Sequence, residues 1–303
     1  MQAKKGNIYG VITILLYSSL ALFSIFTSNI PAFELTSLSF FIASFVGLAF
    51  LRKQKVHISK LFEIPVKAWL IGISGLFGYH FFYFLAIKNA PAVEANLINY
   101  LWPLLIVVFS SFLPNERLKW FHILGTFLGL FGAFLLVSKG GSFSFEAQYT
   151  SGYLFAIIAA LIWSSYSVIS RTLSHVPTYA VTGFCMATAV LSGICHLIFE
   201  TTVIPNATEL FGILMLGLGP VGGAFYLWDY AVKNADIKLL GSISYFTPLL
   251  STLLLVFLGY AQFTTAITLA CIFIILGSFI SSAQYLKSIK NFFFKKQGKQ
   301  NAK

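Results

Sequence analysis

Tyr17, Tyr79, His80, Tyr83, Trp102, Trp163 and Tyr166 fall near the middle of long apolar stretches. A ring carrying a polar atom needs a partner there that lipid cannot supply. Membrane chains normally collect tyrosine and tryptophan at the two interfaces. A group at mid-depth instead offers stacking faces with a few polar handles, which suits an amphipathic, ring-bearing ligand. Tyr79 and Tyr83 stand four residues apart and share one helix face. His80 adds an imidazole that can hydrogen-bond a ligand or titrate near neutral pH, and intramembrane ionisable residues are functional candidates by default. Helix packing is the competing reading for any one of these rings. Glu94 is placed at the outer mouth of its stretch, to attract an ammonium group or to snorkel.

Other chemistry is poorly supported. Gly72-Ile73-Ser74-Gly75 reads as G-x-S-G, the surround of some intramembrane serine nucleophiles. A base must come within about 3 Å of its nucleophile. His196 is placed at a different depth from Ser74, and His80 lies further along the same helix and turned away. No catalytic residue is assigned, and an enzyme or a sensor is the minor alternative. Cys185, Cys195 and Cys271 lie singly inside apolar stretches without a C-x-x-C, so no disulfide, metal or cofactor is expected. Asp229 and Lys233 are spaced for a local ion pair.

The elements that must hold these groups follow from composition. Of 303 residues 58% are hydrophobic and only 10% charged, with a mean hydropathy of +0.85, which excludes a soluble domain. A bilayer core needs about 20 apolar residues per helix. That ruler gives ten spans: 8–28, 33–51, 68–88, 94–113, 119–138, 152–170, 179–199, 210–232, 239–258 and 264–286. The net charge of +11 is not a nucleic-acid footprint, because the cations sit in short connections between spans. All 20 lysines and arginines except Lys88 and Lys139 fall on one side, which predicts cytoplasmic N- and C-termini. The basic tail 289–303, with Phe292 to Phe294 among its lysines, is expected on the inner leaflet or in solvent.

An internal repeat organises the spans. At a gapless offset of 145, Ala86, Lys88, Asn89, Ala90, Tyr100, Pro103, Leu104 and Leu105 meet identical residues. At 146, Ser18, Ser19 and Pro31 meet Ser164, Ser165 and Pro177, and Tyr17 meets Trp163. The predicted units are 1–143 and 144–288, five spans each. Five is odd, so the second unit enters from the opposite face. Inverted repeats of this kind imply alternating access around a site between the halves. Pro103 and Pro248 withhold N–H groups from Asn99 and Ser244 and predict kinks that line a central cavity. Asn99, Tyr100 and Tyr245 therefore join the candidate substrate-binding set. Glycines 72, 75 and 78, and 125, 129 and 132, predict two small helix faces.

E-A-N-L-I-N-Y-L-W-P at 94–103, W-S-S-Y at 163–166 and S-Y-F-T-P at 244–248 make the chain resemble the drug/metabolite transporter superfamily of EamA type. More narrowly, it resembles its bacterial aromatic amino acid exporters. The resemblance implies ten helices, an inner-membrane location, and a cavity lined by Tyr79, Tyr83, Tyr100, Trp102 and Trp163 with His80 beside them. Tyr17 stands where the resemblance implies tryptophan. Other amino acids, nucleosides or drugs remain alternative substrates. The expected partners are a small molecule and the lipid bilayer, as a monomer or homodimer. Span one carries no carboxylate, so coupling is open between facilitation and proton linkage through His80.

Overall fold

The computed structural model describes residues 2–114, 116–138 and 146–281. It is all α-helical among those residues. We number the membrane helices α1 (Gln2–Ile25), α2 (Ala32–Lys53), α3 (Val66–Asn89), α4 (Ala92–Phe112), α5 (Trp120–Val137), α6 (Ala147–Thr172), α7 (Ala180–Phe199), α8 (Ala207–Asn234), α9 (Ile237–Phe257) and α10 (Thr265–Ser281). Among the described residues nine are long and apolar enough to cross a bilayer, and α10 shows 17 residues of apolar helix. The remainder of the predicted tenth span and the basic tail lie outside the described residues, as does Lys139.

Local chemistry explains where helices start. Pro31, Pro65 and Pro91 immediately precede α2, α3 and α4, where a missing N–H costs nothing. The Asn206 side chain accepts N–H bonds from Thr208 and Glu209, and Glu209 reaches back to Asn206, a capping box that opens α8. Asp236 caps α9 through the N–H groups of Lys238 and Leu239.

Short connections send each helix back across the layer, and the two halves pack as inverted copies. We call the side bearing Lys4, Arg52, Lys67, Arg171 and Lys238 the basic face. α1 packs on α8 and α6 on α3, while α2 with α7, α4 with α9, and α5 with α10 meet across the pseudo-two-fold axis. One contact appears twice, at opposite faces. Gly6 of α1 lies against the backbone of Asn234 and Ala235, and Gly152 of α6 against Asn89 and Ala90. These are the lysine-asparagine-alanine segments that the repeat matched in sequence.

The helices nearest the axis are not continuous. α4 is interrupted at Tyr100–Leu101 and α9 at Ser244–Tyr245, just ahead of Pro103 and Pro248. α3 loosens into a π-turn over Ser74–Gly78. α8, expected as one helix over 210–232, divides into Ala207–Leu218 and Gly223–Asn234. The π-turn and this break occupy the same register, since 74 and 78 map to 219 and 223. A side chain on Gly222 would begin 1.5 Å from the Gly217 carbonyl oxygen, so only glycine permits that crossing.

Small residues set the closest approaches. A Cβ on Gly277 would lie 2.3 Å from the Gly125 carbonyl oxygen, with the converse contact equally short. Gly72 and Gly75 meet the rings of Phe184 and Tyr166, whereas Gly78 has its nearest neighbour at 3.7 Å and does not join that face. Gly277→Leu is therefore expected to destabilise the α5–α10 contact by at least about 1–3 kcal/mol. Gly78→Ala should change little. Thermal unfolding of the purified protein in detergent, followed by size exclusion, checks both.

Candidate functional site

A cavity of about 360 Å³ lies on the axis, enclosed by α1 to α4, α6, α8 and α9. That is within the range of pockets that hold small ligands, about 300–1,000 Å³. Its wall includes Tyr17, Tyr79, His80, Tyr83, Asn99, Tyr100, Trp102 and Trp163. It rises to Ser24, Leu35, Ile87 and Asn96, at the ends of α1 to α4 remote from the basic face. The cavity thus reaches from mid-depth to the opposite face.

Helix geometry and ring packing fix the wall. Tyr79 and Tyr83, on one face of α3, stack with centroids 5.8 Å apart and planes 10° apart. The Tyr83 hydroxyl donates to Asn96 Oδ1 at 2.5 Å, and Asn99 Nδ2 donates to the Tyr79 oxygen at 3.1 Å. These bonds pin α3 to α4. His80 Nδ1 donates to the Leu76 carbonyl at 2.7 Å. Leu76 lies within the π-turn, where wider turns leave carbonyls out of the ordinary four-residue register. When the ring is neutral, that bond leaves Nε2 as the acceptor nitrogen. Phe40 stands edge-on to His80 at 5.2 Å and stacks on Phe225 at 5.4 Å.

Trp163 anchors the deep end, with Tyr17 at 6.5 Å, Tyr79 at 5.4 Å and Trp102 at 6.3 Å. Sequence reasoning missed Trp228, which is fully buried beneath this layer. Its ring stacks on Trp163 at 6.0 Å and meets Trp102 and Tyr17 at 6.0 and 6.1 Å. Its indole N–H donates to Ser167 at 3.0 Å. The missed signal was positional: Trp228 immediately precedes Asp229 and repeats Tyr83 at an offset of 145.

Two candidates sit elsewhere. Tyr166 turns toward Gly75 and lines a small separate pocket with Phe184 and Asp229. Tyr245 is buried against Gly129 of α5, and its hydroxyl donates to the Tyr100 carbonyl at 3.1 Å. Neither residue lines the axial cavity: Tyr166, three residues after Trp163, packs on the π-turn of α3, and Tyr245, two residues before Thr247, packs on α5. Glu94 is also no free charge, because it is buried and accepts the Tyr153 hydroxyl of α6. Ser74 Oγ donates to the Ile71 carbonyl at 3.1 Å, a local helix bond.

The wall's polarity is distinctive. Among the described residues no Asp, Glu, Lys or Arg lines the cavity. Four wall residues carry buried polar atoms without a hydrogen-bond partner among the described residues: Tyr17, Ser39, Asn99 and Thr247. Each such atom costs about 1–3 kcal/mol, so their concentration around one space marks a polar ligand or water site.

Charges gather at the two ends instead. On the basic face Glu116 accepts from Arg171 at 3.2 Å and from Lys238, and Arg171 also donates to the carbonyls of Val232 and Ala235. Asp229 pairs with Lys233 at 2.8 Å and accepts from Thr178. At the opposite face His196 is buried between Glu200 at 3.0 Å and Glu34 at 3.8 Å. Glu200 in turn caps α2 through the N–H groups of Phe33 and Glu34.

A family model described as the EamA-like transporter family matches twice, over residues 4–138 and 150–283. The aromatic amino acid exporter YddG of Ancylobacter novellus is 48% identical over 283 residues, covering 93% of this chain and 98% of that one. The protein of that name from Salmonella typhimurium is 21% identical, covering 64% and 68%. A solved crystal structure superposes with a TM-score of 0.90 at 47% identity, covering 93% and 97%.

The buried pair yields a test of its own. Asp229→Asn leaves Lys233 charged in a site where its side chain is 7% exposed, and should cost about 3–5 kcal/mol. Adding Lys233→Met should recover most of that loss, read as the thermal unfolding midpoint in detergent.

Proposed function

Because the chain belongs to the EamA-like transporter family, we propose that it exports aromatic amino acids, taken up as zwitterions into the ring-lined axial cavity. Membership makes it a multi-pass membrane transporter and removes the intramembrane-protease reading. The observation that carries the substrate is the pairing of stacked rings with a wall free of formal charge. Rings from Tyr79, Tyr83, Tyr100, Trp102 and Trp163 supply the faces on which an aromatic side chain stacks. A zwitterion is net neutral, so its head group calls for no formal charge on the wall, and neutral polar side chains of Tyr17, Ser39, Asn99, Thr247 and His80 border the cavity. A cationic drug would find no carboxylate to pair with, and burying an unpaired charge is expensive. The name of the Ancylobacter relative supports this reading.

The remaining assignments belong to the same proposal. Residues 1–143 and 144–288 form the two repeat units, a division supported by the double family match. The basic face is cytoplasmic and the membrane is the inner one, because lysine and arginine crowd that face. The cavity therefore opens outward in this conformation, with the Glu116 and Asp229 networks closing the cytoplasmic side. Pro103 and Pro248 place the breaks at which α4 and α9 turn polar backbone toward the cavity.

Flux of phenylalanine, tyrosine and tryptophan through reconstituted vesicles tests the assignment. All three should move, lysine and glutamate should not, and Trp102→Ala should lower flux at least about tenfold, the order expected when a stacked anchor is lost. Wild-type flux no greater than in empty vesicles for all three would overturn the substrate reading. An imposed pH gradient decides coupling: unchanged flux means a facilitator, and accelerated flux that His80→Gln abolishes means proton linkage.

A further inference from the structure

Trp228 and Tyr83 hold one position in the two halves, at an offset of 145, yet the structure treats them oppositely. Trp228 is fully buried against Tyr17, Trp102 and Trp163 on the side nearer the basic face. Tyr83 lines the open cavity. Trp228's ring partners are themselves repeat partners or map onto the cavity wall, since Tyr17 pairs with Trp163 and Trp102 with Thr247. Each of the two residues is also carried on the half-helix that follows an irregular middle. Tyr83 follows the π-turn Ser74–Gly78, and Trp228 follows the break at Gly219–Gly222. Backbone irregularities at matched positions are where a helix can take up two discrete arrangements.

We infer that Trp228 is the substrate-stacking residue of the cytoplasm-facing state, exchanging roles with Tyr83 when the halves exchange conformations. In the present state Trp228 is the closed floor and Tyr83 is an open wall. In the exchanged state Tyr83 closes onto Tyr17, Trp163 and Thr247, and Trp228 is uncovered to a cavity on the basic face. The ligand class, an aromatic amino acid, rests on the proposed function above. The exchange itself rests only on the repeat and the observed burial.

An ionic latch on the basic face opposes the exchange. Glu116 bridges Arg171 and Lys238, tying the α4–α5 connection to the second half. The repeat partners of these three residues are Ala261, Ile25 and Val93, so closure of the opposite face has no matching ion network. Removing the Glu116 charge leaves two cations facing each other, which weakens only the closure over Trp228.

The experiment uses full-length protein with Cys185, Cys195 and Cys271 replaced by alanine, in right-side-out and inside-out membrane vesicles. A membrane-impermeant maleimide should label Trp228→Cys only from the basic face and Tyr83→Cys only from the opposite face. Adding Glu116→Gln should raise the first rate, by up to about tenfold for a tenfold change in the equilibrium constant, and lower the second by the smaller factor that conservation of population requires. Rates that rise together, or a position 228 unreactive from both faces after the latch is cut, overturn the inference. This readout needs no substrate, so it stands or falls separately from the aromatic assignment. With phenylalanine, Trp228→Phe should raise KM for entry from the basic face several-fold and leave KM from the opposite face unchanged. An equal rise on both faces indicates a packing role and also overturns it.

Discussion

In hydrocarbon a backbone amide or side-chain charge that leaves its partner has no water to turn to, and everything else in this protein follows from that. Buried charged residues of the described helices lie near helix ends and are partnered, as are Asp229 with Lys233 and His196 with Glu34 and Glu200. The helix interruptions lie instead at mid-depth on α1, α3, α4, α8 and α9, all of which border the axial cavity. A broken helix is tolerable where protein or cavity water can meet the freed groups. The cavity and the irregular backbone therefore require each other.

Duplication turned this constraint into a machine with two equivalent ends. Gly6 against Asn234–Ala235 and Gly152 against Asn89–Ala90 are one contact made at opposite faces. The frame is nearly symmetric, but the chemistry on it is not. Trp102 faces Thr247 across the repeat, and His80 corresponds to Phe225. Most polar wall residues come from the first half, while the second supplies Trp163, Thr247 and smooth apolar surface from Leu216 to Phe225. The Glu116–Arg171–Lys238 network is likewise one-sided, since its repeat partners are Ala261, Ile25 and Val93.

Legibility in the sequence followed the range of the physics involved. Spans, their alternation and the double repeat come from local hydropathy and from identities such as those around Pro103 and Pro248. Mid-depth placement alone brought Tyr17, Tyr79, His80, Tyr83, Trp102 and Trp163 together. It could not separate Trp163 from Tyr166, which share depth and differ only in which neighbour their helix faces. Glu94 read as a free charge because its partner, Tyr153, is 59 residues away in the other half.

By itself the sequence determined that this chain is a ten-helix membrane transporter of two inverted halves, because burial in lipid imposes a one-dimensional rule of about 20 apolar residues per crossing. It also determined which rings lie at mid-depth. Only the tertiary structure decided which of them face the cavity, that Trp228 underlies it, and that Glu116 joins Arg171 and Lys238 on the basic face. Those facts depend on helix rotation and on contacts between halves, which arise from packing over more than 50 intervening residues and leave no periodic trace along the chain.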